Sequence, residues 1–147
     1  MVWSFKSKNW AKLGTQYPNS RLKQILINGT GCDDIRLNDN VYRAIPYNDF
    51  TKLAWGGYDG DTEYEKESAD CDDQCLFYES NTRKQWAKKA KGSGAALAFG
   101  QAKVLMGDGS QPHMLIWQVD NSGNINWIEG QTYTKAKQPV KVYSIEG

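Results

Sequence analysis

Three side chains of complementary chemistry lie in the second half of this 147-residue chain: Cys71, His113 and Glu129. His113 is the sole histidine, and Cys71 is one of three cysteines. A thiol, an imidazole to take its proton and a carboxylate to orient the imidazole make the nucleophile–base–orienter set of thiol hydrolases. Cys71 sits in ADCDDQC, where helix formers begin to dominate. A helix start offers unbonded N–H groups and the positive end of the dipole, and both favour a thiolate. Asp72 and Asp73 suit a first helical turn, but their charge opposes the thiolate. A cation or an imidazolium would offset that charge. Cys32 lies in the similar run GCDD, with acids beside it and no clear helix after it, so it reads as an ordinary loop residue.

Elements must hold these residues in place. From Cys71 to Lys91 the breakers vanish, and Cys71, Cys75 and Tyr78 fall on one helical face, with Phe77 and Trp86 elsewhere. The Lys-rich end RKQWAKKAK suits a helix C-terminus, and GSG then stops it. His113 opens an apolar strand, HMLIWQVD, and DNSGN after it is a hairpin turn signal. The next strand, INWIEGQTY, would put Glu129 and Gln131 on one face and Glu129 beside His113. Trp117 and Trp127 would face each other across that hairpin as packing rather than as a sugar platform. AALAFGQAKVLM and VKVYSI complete the strands. Earlier, YPNSRLKQILIN reads as a turn and short helix and NGTGCDDIRLNDN as loop. IPYNDFTKLAW reads as a helix with Asn48 or Asp49 near its N-cap. The outline is a helical front on an antiparallel back, an α+β class.

The bulk numbers set limits. A chain of this length suits one domain over residues 1–147. A net charge of +1 argues against a nucleic-acid partner and a membrane surface. No apolar run approaches the roughly 20 residues of a spanning helix. MVWSFKSKNWAKLG lacks the apolar stretch of a secretory signal, so a cytoplasmic location is expected. An odd number of cysteines rules out a complete disulfide framework. One His and three scattered Cys lack the spacing of a zinc site. The run from Asp59 to Asp73 is rich in the carboxylates calcium prefers, yet Tyr64 stands where an EF-hand needs Gly.

The blocks ADCDDQC, ALAFG, HMLIW and WIEGQT, in that order and spacing, resemble a known family. It is the papain-like, calcium-dependent cysteine-protease domain found at the C-terminus of the fairy-ring mushroom (Marasmius oreades) agglutinin, with stand-alone relatives in bacteria and phages. The family pattern is DCDDFA opening a helix, a small-residue strand, a His-led strand, a hairpin and IEPQT. The resemblance covers residues 42–133. It implies a papain-like fold, with a central helix starting at Cys71 packed on a C-terminal antiparallel sheet. It also implies Cys71 as nucleophile, His113 as general base and Glu129 as the group orienting the imidazole. Tyr64 would stand near the oxyanion site. Asp72, Asp73 and Gln131 would bind calcium, or Gln131 would face the oxyanion. Two departures stand out: FA is Gln74-Cys75 here, and the Pro of IEPQT is Gly130. They alter the helix's packing face and loosen the strand, which leaves pocket shape and substrate preference open. The expected function is a thiol hydrolase of cysteine-peptidase type, acting on a peptide or amide and activated by calcium. Two alternatives stand beside it. One is a catalytically inactive binding or structural module of the same fold, phage-encoded. The other is a cell-wall or other amide hydrolase or transferase.

Overall fold

The computed structural model describes residues 8–58, 71–107 and 111–147. In chain order its strands and helices are β1 (Thr15–Pro18), α1 (Asn19–Thr30), β2 (Ile35–Arg36), β3 (Val41–Ala44) and α2 (Tyr47–Gly56). Then come α3 (Cys71–Lys89), β4 (Ala96–Leu97), β5 (Phe99–Leu105), β6 (Pro112–Val119), β7 (Ile125–Ile128) and β8 (Lys141–Glu146). The strands form a five-stranded sheet in the order β2-β8-β5-β6-β7 and a three-stranded sheet in the order β1-β3-β4. Neither is purely antiparallel, because β2 runs parallel to β8 and β3 parallel to β4. The expected helical front on an antiparallel back is therefore corrected: the first third contributes strands, and both sheets are mixed.

β6 lies at the centre of the large sheet's packing. Its residues alternate between two cores. Leu115, Trp117 and Val119 join Leu22 and Leu26 of α1. Ile116 joins Phe50 and Leu53 of α2 and Tyr78 of α3. Helices thus cover both faces of the sheet, which is why β6 is a continuous apolar run instead of an alternating one. Full burial of each such side chain contributes about 1.5–3 kcal/mol. Trp117 is completely buried, and its indole N–H donates to the Glu146 carbonyl at 2.9 Å. It faces Trp127 in register across the hairpin, as the spacing predicts. The turn between them is held by Asp120, whose carboxylate accepts the backbone N–H groups of Ser122 and Asn124.

α3 carries the first site residue. Its buried face is Gln74, Cys75, Tyr78, Thr82 and Trp86. Trp86 shares the face of Cys75, against the sequence expectation, because eleven residues make close to three whole turns. Arg83 fastens the helix to the sheet. It donates to the Phe99 carbonyl at 3.1 Å and lies over the Phe99 ring, 4.5 Å from its centroid. Lys88 and Lys89 occupy the last turn, at the negative end of the dipole.

Several local expectations shift. α1 runs through Asn28-Gly29-Thr30 and ends at Gly31, whose φ of 71° closes the helix with a 2.8 Å bond to the Ile27 carbonyl. Burial of Leu22 and Leu26 outweighs the roughly 1 kcal/mol that a mid-helix Gly costs. α2 starts directly after Pro46 with no side-chain cap. Asp49 is instead buried inside it and pairs with the Lys8 ammonium. AALAFGQAKVLM divides at Ala98, so that β4 joins the small sheet and β5 the large one. Among the described residues, no helix is long and apolar enough to cross a membrane.

Candidate functional site

His113 is the second residue of β6 and lies opposite Val104 of β5. Glu129 comes immediately after β7, which ends at Ile128. The strand expected through INWIEGQTY stops there because the chain turns back. The Glu129 N–H donates to the Thr134 carbonyl and the Tyr133 N–H to the Glu129 carbonyl, both at 2.9 Å. A bridge between Ile128 and Lys135 closes the turn. Glu129 and Gln131 thus sit on a turn, and the strand period that was to align them does not apply. Tyr133 completes it at φ 62°, the one positive φ outside glycine among the described residues. Such a conformation costs a bulky residue roughly 1–3 kcal/mol and persists only where surroundings enforce it. The rings of Tyr78, Tyr58 and Trp55 do so, with centroids 4.3, 4.8 and 5.1 Å away.

This turn delivers Glu129 to His113. Its Oε2 lies 3.0 Å from Nε2 of the imidazole, and the two side chains are about one-third exposed. A neutral imidazole that donates from Nε2 keeps Nδ1 as the acceptor. Cys71 opens α3, half-buried, and its thiol lies 3.5 Å from Oδ1 of Asp72. Cys71, His113 and Glu129 all line one cleft of about 940 Å³, together with Gln131, Lys135 and Lys137. A thiol beside a carboxylate-held imidazole is suited to proton exchange and to attack on an electrophile. The polar lining is equally suited to holding a hydroxylated ligand.

The other two cysteines are core residues, and no cysteine forms a disulfide. Burial pushes the Cys75 thiol up to about 12, helped by the charges of Cys71 and Glu129. Its S–H donates to the Met114 carbonyl at 3.5 Å. Cys32 lies in the loop between α1 and β2, as the sequence suggests, but it is buried in the core cluster with Leu22 and Tyr42. Burial raises its thiol as well.

The two departures at 75 and 130 touch each other. A Cβ on Gly130 would lie 2.7 Å from the Cys75 sulfur and 3.0 Å from that residue's Cα. The larger side chain at 75 occupies space that any side chain at 130 would need. The sequence carries the signal, a bulkier residue at one position and Gly at the other, but not the contact.

Tyr64 and the acids from Asp59 to Asp70 lie outside the described residues. Asp72 and Gln131 are exposed and Asp73 is half-buried. Among the described residues, no three His, Cys, Asp or Glu side chains converge as a metal site would require. They do not supply the six to eight oxygens of a calcium cage.

Sequence reasoning missed an aromatic group next to the cleft. Trp55, Tyr58 and Phe77 are exposed, at 47%, 45% and 38%. A second cavity of about 160 Å³ is lined by Tyr58, Phe77 and Tyr133 with Gln74, Asn81 and Gln131. Gly130 and Gln131 line both this cavity and the cleft. The i, i+3 spacing of Trp55 and Tyr58 at the end of a helix was the available clue.

No protein-family model and no curated protein matches the sequence. Solved structures do match. A PSL1a-E64 complex superposes with a TM-score of 0.74 at 19% identity, over 88% of this chain and 51% of that one. The lectin of Polyporus squamosus, bound to the human-type influenza-binding epitope Neu5Acα2-6Galβ1-4GlcNAc, gives a TM-score of 0.74 at 20% identity. That match covers 88% of this chain and 49% of the lectin. The chain thus spans about half the length of each, and at this identity the likeness establishes the fold alone. The comparisons return a lectin where the motifs suggest a papain-like cysteine protease. The expectations of that family and its papain-like fold class, of a cysteine-peptidase function and of a peptide or amide partner are corrected on this finding.

Proposed function

We propose that the chain is a binding module that takes a short glycan in the cleft lined by the start of α3 and the 129–134 turn. The observation that carries this reading is the cleft itself, about 940 Å³ with His113, Glu129, Gln131 and two lysines in its lining. Carboxamide and imidazole groups both donate and accept, as sugar hydroxyls require. Lys135 and Lys137 offer cations to an acidic sugar. The shared fold supports the ligand class, since one matched structure is a lectin bound to a sialylated trisaccharide. Binding of that trisaccharide, measured by calorimetry after a glycan-array screen, tests the proposal. Lys137→Ala should weaken the acidic glycan about 1.5- to fivefold, the range expected for one exposed charge pair. Absence of any glycan binding by the parent chain would refute it.

One observation favours a second reading, in which Cys71 does chemistry. The 3.0 Å contact between His113 and Glu129 lies in the cleft that Cys71 also lines. As an enzyme the chain would use Cys71 to form the bond to a substrate carbonyl carbon, while His113 takes its proton and passes it to the departing group. Water would then release the acyl group. Alkylation of Cys71 by iodoacetamide, compared between the parent and Glu129→Gln, tests whether the dyad activates the thiol. Equal rates in both would sink this reading. A divalent cation at Asp72, Asp73 and Gln131 is a proposal from the sequence alone. The same alkylation with and without calcium tests it, and an unchanged rate removes it. A cytoplasmic location, where thiols stay reduced, goes with this reading, and fractionation of the producing cells would check it.

A further inference from the structure

The aromatic cavity beside the cleft has no part in the reading above. Its wall residues come from three elements: Tyr58 from just beyond α2, Phe77 from α3 and Tyr133 from the 129–134 turn. Large rings left exposed in one place mark an interaction site more often than rings scattered singly. Here Trp55 and Tyr58 stand edge to face, 4.8 Å apart, and Tyr58 meets Tyr133 the same way at 4.8 Å. The cluster continues inward through Tyr78 to Phe50 and Phe99, so its outer rings are anchored in the core. Tyr133 is held in its strained backbone conformation at the base of this stack. Local strain maintained by surrounding packing is a feature of ligand sites.

The lining also has a definite chemistry. Three rings stand with three carboxamides, Gln74, Asn81 and Gln131, and among the described residues no residue of the lining is charged. Rings offer apolar faces to the C–H side of a flat ligand, and carboxamides meet its hydroxyls as donor and acceptor. A neutral hydroxylated ring fits this set better than an ion. The cavity also adjoins the cleft, because Gly130 and Gln131 line both. A ligand of two or three sugars in the cleft would reach the cavity across Gln131.

We propose that this cavity is a subsite for a neutral pyranose of the galactose or N-acetylglucosamine type. An acidic sugar of the same ligand would stay in the cleft near Lys135 and Lys137. The inference rests on the glycan reading of the cleft and assigns its uncharged end.

The test uses the full chain, titrated by NMR with methyl galactoside, methyl N-acetylglucosaminide, methyl N-acetylneuraminide and N-acetylphenylalaninamide. Trisaccharide affinity is measured in parallel for the parent, Phe77→Ala, Asn81→Ala and Lys137→Ala. Phe77 and Asn81 lie at the surface, and unchanged melting temperatures would verify their folds. The neutral glycosides are expected to shift the ring signals of Tyr58 and Phe77 and the side-chain amides of Asn81 and Gln131. Phe77→Ala is expected to weaken the trisaccharide about three- to tenfold, the worth of one ring contact. Lys137→Ala should leave the neutral glycosides unaffected. If the trisaccharide binds and depends on Lys137 but not on Phe77 or Asn81, the subsite is wrong and the glycan reading stands. If no sugar binds the parent chain, both fall. If only the phenylalanine amide shifts the cavity signals, the site takes an apolar side chain and the proposal is overturned.

Discussion

Replacing Gly130 with alanine sets a methyl group against the first turns of α3. The new carbon would lie 2.7 Å from the Cys75 sulfur and 3.0 Å from both its Cα and its N. Ordinary contacts between such atoms are roughly 3.5–4 Å, so helix and turn must separate by about 1 Å. Neither yields easily. α3 is fixed to the sheet by Arg83, and the turn is closed by two 2.9 Å backbone bonds about Glu129. Overpacking of this kind costs about 1–3 kcal/mol, which lowers Tm by roughly 2–12 °C in a domain of this size. Cys75→Ala alone removes one buried sulfur and costs about 1 kcal/mol. Combined with Gly130→Ala it removes the worst contact but leaves the two against helix backbone, so rescue is partial. A coupling energy of about 0.5–1.5 kcal/mol in the stabilising direction is expected. Urea denaturation of the parent, both single variants and the double variant measures it by circular dichroism. Strict additivity, or a Gly130→Ala cost below about 0.5 kcal/mol, would refute the reasoning. The site offers a second readout: displacing the turn should lengthen the 3.0 Å contact between Glu129 and His113.

Other outcomes follow from the same geometry. In the folded protein at neutral pH, iodoacetamide should label Cys71 first, with Cys32 and Cys75 labelled only after urea is added, because burial raises both of their thiols. Mass spectrometry reads the order, and early labelling of Cys75 would contradict the packing. Stability should fall as pH rises above 9, because Cys75 holds its proton in the folded state up to about 12 against an ordinary 9.0. The unfolded chain loses that proton first, so the Cys75 contribution is complete below pH 9 and lost on the way to 12, at about 1.4 kcal/mol per pH unit. Urea midpoints taken at successive pH values should show a shallower fall in Cys75→Ala. A residual slope above pH 10 is expected from Tyr78, whose phenol burial raises above 10.0. Trp117→Phe should cost about 1–3 kcal/mol, since it leaves the Glu146 carbonyl without its indole donor. An unchanged urea midpoint would show that another donor takes its place.

The sequence made part of this legible, and the reasons are specific. The helix from Cys71 announces itself through a long stretch free of breakers, and it ends within two residues of the expected point. The DNSGN turn dictates the β6–β7 hairpin, and with it the pairing of Trp117 with Trp127. The approach of Glu129 to His113 was anticipated for the wrong reason. A tight turn that Tyr133 closes at positive φ makes it, not strand alternation. Nothing in a Thr-Tyr-Thr run marks a left-handed residue, since the conformation is imposed by rings distant in sequence. β2 and β4 were also out of reach. Each has two residues and exists only because a remote strand offers it hydrogen bonds. The family expectation shows a further limit. Short motifs can identify residues that meet in space, and they say less about what the assembled cleft is used for.

The union of β2 with β8 shapes how the chain folds. Ile35 pairs with Ile145, and the Tyr42 hydroxyl donates to the Gly147 carbonyl 105 residues further on. Contacts of such sequence separation form late, because loop closure must precede them. The β5–β6–β7 meander, whose strands are sequence neighbours, can assemble before that seam closes. Substitutions at Ile35 or Tyr42 should therefore hasten unfolding and leave the folding rate nearly unchanged. The first opening of the native protein is then expected at a seam distinct from His113 and Glu129, and the cleft they line would outlast the earliest losses of structure.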